Sequence, residues 1–146
     1  MRVYLDTCGI QRPLDTPTQT RIRLEGEAIL GVLERVENGE VELVSSTVLE
    51  LEISQNTLPA RREHGEQVLS RAKSVIVVDD HIAERASEFA QQGVHAMDAL
   101  HLASAERAQA DYFCTCDDRF LRRTKALPDL RTTVVTPIEL IGIIES

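Results

Sequence analysis

Cysteine is scarce in this sequence. Three residues, Cys8, Cys114 and Cys116, occur in 146. Their odd number and irregular spacing exclude a disulfide framework and point to a reducing compartment. A long apolar run is also missing. Nothing approaches the roughly 20 residues needed to cross a bilayer, so no membrane partner is expected. Near the amino end, Asp6, Gln11 and Arg12 interrupt any secretory-leader pattern. Together these features read as a cytoplasmic protein. An excess of positive charge is absent as well: 16 Lys and Arg face 24 Asp and Glu, for a net charge of -8. A protein that grips nucleic acid by charge alone is basic. A nucleic acid must here be met through a local basic patch, a bound cation or a partner. There is no internal repeat, linker or low-complexity segment. The length fits one domain over residues 1–146 with a real core.

What is present is alternation. Residues 2–6 read as a strand, Val3-Tyr4-Leu5 ending abruptly on Asp6. Cys8 to Pro17, with one Gly and two Pro, reads as a loop. A helix runs from about Thr18 to Asn38-Gly39, with Ile22, Ala28, Ile29, Val32, Leu33 and Val36 at helical spacing. Val41–Val44 is a second strand. Ser45 or Ser46 caps a helix from about Thr47 to Gln55, and Pro59 opens another with Val68, Leu69 and Ala72 inside. Ser74–Val78, nearly all β-branched, predicts a buried strand. A helix follows from Asp79 or Asp80 to Gly93, with Ile82, Ala83, Ala86, Phe89 and Ala90 on one face. Ala96–Ala110 is a strong helix former. Tyr112–Cys116 is a fourth strand, Asp117–Leu127 a basic helix and Thr132–Val135 a fifth strand. Thr136-Pro137-Ile138-Glu139 is a capping box opening a short last helix. Strands alternating with helices predict an α/β fold with a mostly parallel sheet of about five strands.

The acids stand at informative places. Asp6 ends strand one, where open parallel sheets bind ligands. Glu50 and Glu52 lie in the first turns after strand two. Asp98 lies in the first turn of the Ala-rich helix, and Asp117 follows strand four. Each has a bland reading: Asp98 complements a helix dipole, Asp117 caps a helix, and one of the two glutamates is simply solvated. Jointly they could line one sheet edge. Two like charges 4 Å apart cost about 4 kcal/mol at an effective dielectric near 20, so an ionised cluster needs a cation. Oxygen ligands without a matched His or Cys set favour Mg²⁺ or Mn²⁺. His101, three residues after Asp98, is placed to face the site, but a packed or solvated histidine is the commoner case. Cys114 and Cys116 read as core residues. Arg119, Arg122, Arg123 and Lys125 give the helix after Asp117 a basic face, either solvated or placed for phosphate contact.

These pieces resemble the PIN-domain family. The matching stretches are Tyr4-Leu5-Asp6-Thr7, Ser45 to Ile53, Asp98-Ala99-Leu100-His101-Leu102-Ala103 and Ala110 to Phe120. The resemblance implies a three-layer α/β sandwich with the first strand central, and a metal-dependent ribonuclease. It assigns Asp6, Asp98 and Asp117 to the metal-site aspartates. The glutamate falls on Glu52, which fits the helix better, with Glu50 as the alternative. Thr115 matches a hydroxyl residue that holds a carboxylate or water. Many such proteins are VapC-type toxins silenced by an antitoxin. Gln11-Arg12-Pro13-Leu14-Asp15, with Arg21 and Arg23, is similar to a subgroup of stand-alone bacterial PIN proteins. PIN-like proteins often pair, and Phe89 or Ile143-Ile144 would supply apolar surface for a homodimer.

Three functions are therefore compared. The first is a Mg²⁺- or Mn²⁺-dependent endoribonuclease acting on RNA phosphodiesters, in a toxin-antitoxin pair or outside one. The second is a non-toxin PIN-fold binding module acting through a protein partner. The third is a phosphoacceptor receiver domain. A receiver needs an acidic pair after strand one and a Lys after strand five. Here strand one ends in a single acid and strand five runs into Val135-Thr136-Pro137.

Overall fold

A computed structural model describes residues 1–146. Five strands make one sheet: β1 (Arg2–Leu5), β2 (Glu42–Ser46), β3 (Ser74–Ile76), β4 (Tyr112–Cys114) and β5 (Thr133–Val135). Their order is β3-β2-β1-β4-β5, and all neighbours are parallel. The first strand is central, with Tyr4 in register with Val44 on one side and Phe113 on the other. Val3, Tyr4 and Leu5 have no solvent exposure, as a strand covered on both faces requires.

Seven helices fill the crossovers and an eighth follows β5: α1 (Thr7–Gln11), α2 (Thr20–Glu37), α3 (Thr47–Ser54), α4 (Pro59–Leu69), α5 (Asp80–Gln91), α6 (Ala96–Arg107), α7 (Asp118–Thr124) and α8 (Pro137–Glu145). From β1 the chain steps outward through β2 to β3. It then crosses back to β4 and steps the other way. Right-handed crossovers place helices on opposite faces for the two directions. α2 packs on α8 and α5 on α6, giving the outer layers of a three-layer α/β sandwich. Because the direction reverses between β1 and β4, a switch-point crevice opens at their carboxyl ends.

Several expectations are corrected. Residues 8–17 are not a loop throughout: Thr7–Gln11 is helical and Arg12–Leu14 a 3-10 turn. Two hydrogen bonds hold this segment to α4, Gln11 Nε2 donating to the Arg61 carbonyl at 2.9 Å and His64 Nε2 meeting the Ile10 carbonyl at 2.9 Å. Its Gly and Pro suggested irregularity, but Asp6 caps the segment and tertiary contacts hold it. Ser74–Val78 is not a buried strand. Only Ser74–Ile76 pairs, β3 is a sheet edge, and Val75 and Val77 are exposed; β-branching marks a strand but not its position in the sheet. Ala83 and Ala90 face solvent while Ile82, Ala86 and Phe89 are buried. Phe89 cannot serve a homodimer surface, because it has no exposure and lies under the Arg85 guanidinium, 4.3 Å from the ring centre. Ile143 and Ile144 remain partly exposed. Cys114 and Cys116 are buried, as expected. No helix is long and apolar enough to cross a membrane.

Candidate active site

Asp6 closes β1 and caps α1. Its Oδ1 accepts from the Gly9 amide at 2.9 Å and the Cys8 thiol at 3.0 Å. Thr115 Oγ1 lies 3.5 Å from the Cys8 sulfur, which itself meets Asp6, and accepts from the Asp117 amide at 3.1 Å. Thr115 therefore joins the ends of β1 and β4. Burial drives the Asp6 carboxyl well above the usual range, and the neighbouring Cys8 adds to it. An ionised carboxylate is costly there without a cation. Glycine at position 9 suits this packing, since a Cβ would lie 3.3 Å from Asp6 Oδ1.

Asp98 sits in the first turn of α6, half-buried. Its carboxyl is raised by burial first and by the charge of Asp117 second; Glu52 raises it further, while His101 and His95 oppose the shift. Asp98 and Asp117 line one small cavity of about 100 Å³ together with His95, Arg119 and Arg123. Asp117 also caps α7, its Oδ1 accepting from the Arg119 and Phe120 amides at 2.9 and 3.2 Å. Its capping role is thus real, and it coexists with a place in the cleft. Larger grooves lie elsewhere, between α3 and α4 and between α2 and α8, away from these acids.

The two glutamates separate cleanly. Glu50 is exposed and lines the α3–α4 groove. Glu52 faces inward, where its Oε1 accepts from Thr7 Oγ1 and from His101 Nε2, the latter at 2.9 Å. Burial pushes Glu52 up, but the bonds from His101 and Thr7 outweigh it and leave it below the ordinary value. His101 is 2% exposed, so it is a packed histidine as expected. It also touches the acidic group. Its Nδ1 lies 2.7 Å from the Tyr4 hydroxyl, which lies 2.7 Å from Ser46 Oγ. Sequence reasoning missed Tyr4, Ser46 and Thr7. The available signal was Tyr4 itself: a phenol in a fully buried strand must find a hydrogen-bond partner.

The Arg12 and Arg21 motif also has a structural place. Glu25 on α2 is 1% exposed and binds Arg12 at 2.8 Å and Arg21 at 3.4 Å. Arg12 also reaches Asp15 at 3.0 Å. Arg21 reaches Asp118 at 2.6 Å and the Cys116 carbonyl at 3.1 Å, the residues flanking Asp117. The basic face of α7 is open: Arg119, Arg122 and Arg123 are exposed and line a surface groove beside the acids.

By donor chemistry the group suits a hard divalent cation. It offers carboxylate oxygens and a hydroxyl, and burial holds both Asp6 and Asp98 above their ordinary values, with the charge of Asp117 adding to Asp98. The side-chain positions alone do not bring three acidic, His or Cys groups close enough together to hold a metal ion.

Comparison with known proteins bears on the fold. In structure, the chain resembles FitAcB from Neisseria gonorrhoeae, with 17% identity and a TM-score of 0.58 over 92% of this chain and 97% of that one. It resembles VapBC2 from Rickettsia felis, bound to a DNA fragment from its promoter, with 15% identity and a TM-score of 0.60 over 93% and 98%. It also resembles VapBC-1 from nontypeable Haemophilus influenzae, with 17% identity and a TM-score of 0.56 over 94% and 98%. No curated protein sequence matches. At such identities the likeness establishes the fold. The family model of the PIN domain matches residues 4–126, which include all four candidate acids; the chain therefore belongs to the PIN-domain family, whose members are generally nucleases.

Proposed function

We propose that this protein is a Mg²⁺- or Mn²⁺-dependent endoribonuclease. The observation that carries the reading is the pairing of Asp98 and Asp117 in one cavity with Arg119 and Arg123, beside the β1–β4 switch point that Asp6 closes. Asp6, Glu52, Asp98 and Asp117 would hold the cation. When bound, such an ion supplies charge stabilisation to a phosphodiester and lowers the pKa of water. The chain's own residues do the rest. Arg119, Arg122 and Arg123 meet phosphates, which an acidic protein needs if it is to hold RNA. Thr115 links the Cys8 thiol, which meets Asp6, to the Asp117 backbone.

A VapC-like biology, with an antitoxin as partner, is supported by the likeness to the VapBC and FitAcB structures. One observation favours a second reading, a PIN-fold module acting through a protein partner: no three candidate ligands lie at metal-holding distance in the isolated chain. Replacing Asp98 with Asn separates the two. The nuclease reading expects Mn²⁺-dependent cleavage of single-stranded RNA by the wild type and a loss of at least 100-fold in Asp98→Asn. Cleavage at the wild-type rate in the variant overturns the site. Absence of Mn²⁺ binding to the wild type by calorimetry favours the binding module.

A further inference from the structure

A chain of hydrogen bonds runs behind Glu52. The Leu49 amide donates to Ser46 Oγ at 3.1 Å. Ser46 Oγ and the Tyr4 hydroxyl are 2.7 Å apart, as are the Tyr4 hydroxyl and His101 Nδ1. His101 Nε2 and Glu52 Oε1 are 2.9 Å apart. Every member but Glu52 is buried: Tyr4 and Ser46 have no exposure and His101 has 2%. Solvent cannot complete a missing bond here, so the donors and acceptors must balance within the chain. One arrangement uses every proton. Ser46 donates to Tyr4, Tyr4 donates to His101 Nδ1, and the imidazole donates its Nε2 proton to Glu52. If Nδ1 carried a proton instead, Tyr4 would have to donate to Ser46, and the Ser46 proton would be left without an acceptor in the core. The hydrogen-bonding partners therefore assign the tautomer.

We infer that Ser46, Tyr4 and His101 form a positioning relay that locks Glu52 through its Oε1, leaving Oε2 as the one oxygen this glutamate offers to a cation or water. Both hydrogen bonds that Glu52 accepts end on Oε1, and none ends on Oε2. A carboxylate held in this way acts through a single oxygen. His101 and Tyr4 are positioning residues: they touch neither substrate nor cation and act through Glu52. The inference rests on the nuclease reading for its catalytic consequence, but the tautomer belongs to the metal-free chain.

Two measurements test it. In metal-free wild-type protein, ¹⁵N NMR of the His101 ring is expected to show the proton on Nε2 and Nδ1 as an acceptor. A proton on Nδ1 overturns the relay, whether or not the protein cleaves RNA. The second measurement compares His101→Leu, which has no donor, with His101→Gln, which keeps one. His101→Leu is expected to lose about 10- to 100-fold in kcat or in Mn²⁺ affinity, with the KM for RNA within about threefold. His101→Gln is expected to recover at least part of the loss. A folded His101→Leu with wild-type kcat and Mn²⁺ affinity, in a wild type that does cleave, overturns the positioning role and leaves the nuclease reading intact. If His101→Leu does not fold, Tyr4→Phe replaces it. Its His101 spectrum is expected to depart from the wild-type form, and an unchanged spectrum overturns the part assigned to Tyr4.

Discussion

The Asp98 and Glu52 carboxyls are shifted in opposite directions. Asp98 binds its proton more tightly in the folded chain than in the unfolded one. Its stabilising contribution is therefore complete below the ordinary aspartate value, about 3.9, and is lost as pH rises through the raised folded value. Glu52 has the reverse sign: its contribution is present above the ordinary glutamate value and is lost as pH falls through the lowered one. Scanning calorimetry of metal-free protein can isolate Asp98 by difference. The melting temperature of Asp98→Asn is expected to exceed that of the wild type at neutral pH, with the gap closing toward pH 4. Mn²⁺ is expected to raise the wild type and not the variant, because a ligand bound only to the folded state stabilises it. A wild type equal to the variant across the range rejects an uncompensated charge at Asp98. The sequence could place these acids at strand ends and helix starts, but it could not separate Glu50 from Glu52. Their helix carries apolar residues all round, with Leu51 exposed and Ile53 buried, so its inward side is set by packing on α4 and α6 rather than by its own pattern.

α2 ties the first strand's loop to the last part of the site. Glu25 reaches Arg12 in the 3-10 turn, and through Arg21 it reaches the backbone before α7. Removing one partner of a fully buried ion pair costs about 3–5 kcal/mol. Here Arg12 keeps Asp15, and the half-exposed Arg21 keeps Asp118. Glu25→Ala is therefore expected to cost less, about 2 kcal/mol, measured as a lower urea midpoint at constant slope. A change under half a kcal/mol would mean that the pair contributes nothing. Glu25 was not legible as a buried residue, since carboxylates are almost never fully buried unless paired, and its partners lie on other elements. The long amphipathic helix around it was legible, because Ala28, Ile29 and Val32 repeat at the helical period. The short helix α1 was not. Its five residues are too few for a periodic signal, and it exists because Asp6 supplies a cap.

Charge over the molecule as a whole opposes an anionic substrate, with 24 acidic residues against 16 basic. The proposed binding of RNA then rests on the α7 arginines. Single strands lose affinity with a slope of about 0.7 per neutralised phosphate on a double-logarithmic salt plot. Replacing Arg119, Arg122 and Arg123 together by Ala is expected to flatten that slope by about 2 units, read by fluorescence anisotropy with a labelled oligonucleotide. An unchanged slope makes the basic face a solvated helix surface. The α/β architecture was readable from alternation, but the order of the strands is a long-range property, and only the family resemblance placed β1 in the centre. That order also bears on synthesis. The central strand waits for a neighbour more than a hundred positions away, Val3 pairing with Tyr112. At roughly 5–20 residues per second, a growing chain carries Asp6 for several seconds before Asp117 exists. The cleft therefore cannot assemble on the nascent polypeptide before β4 and the residues that follow it have been added.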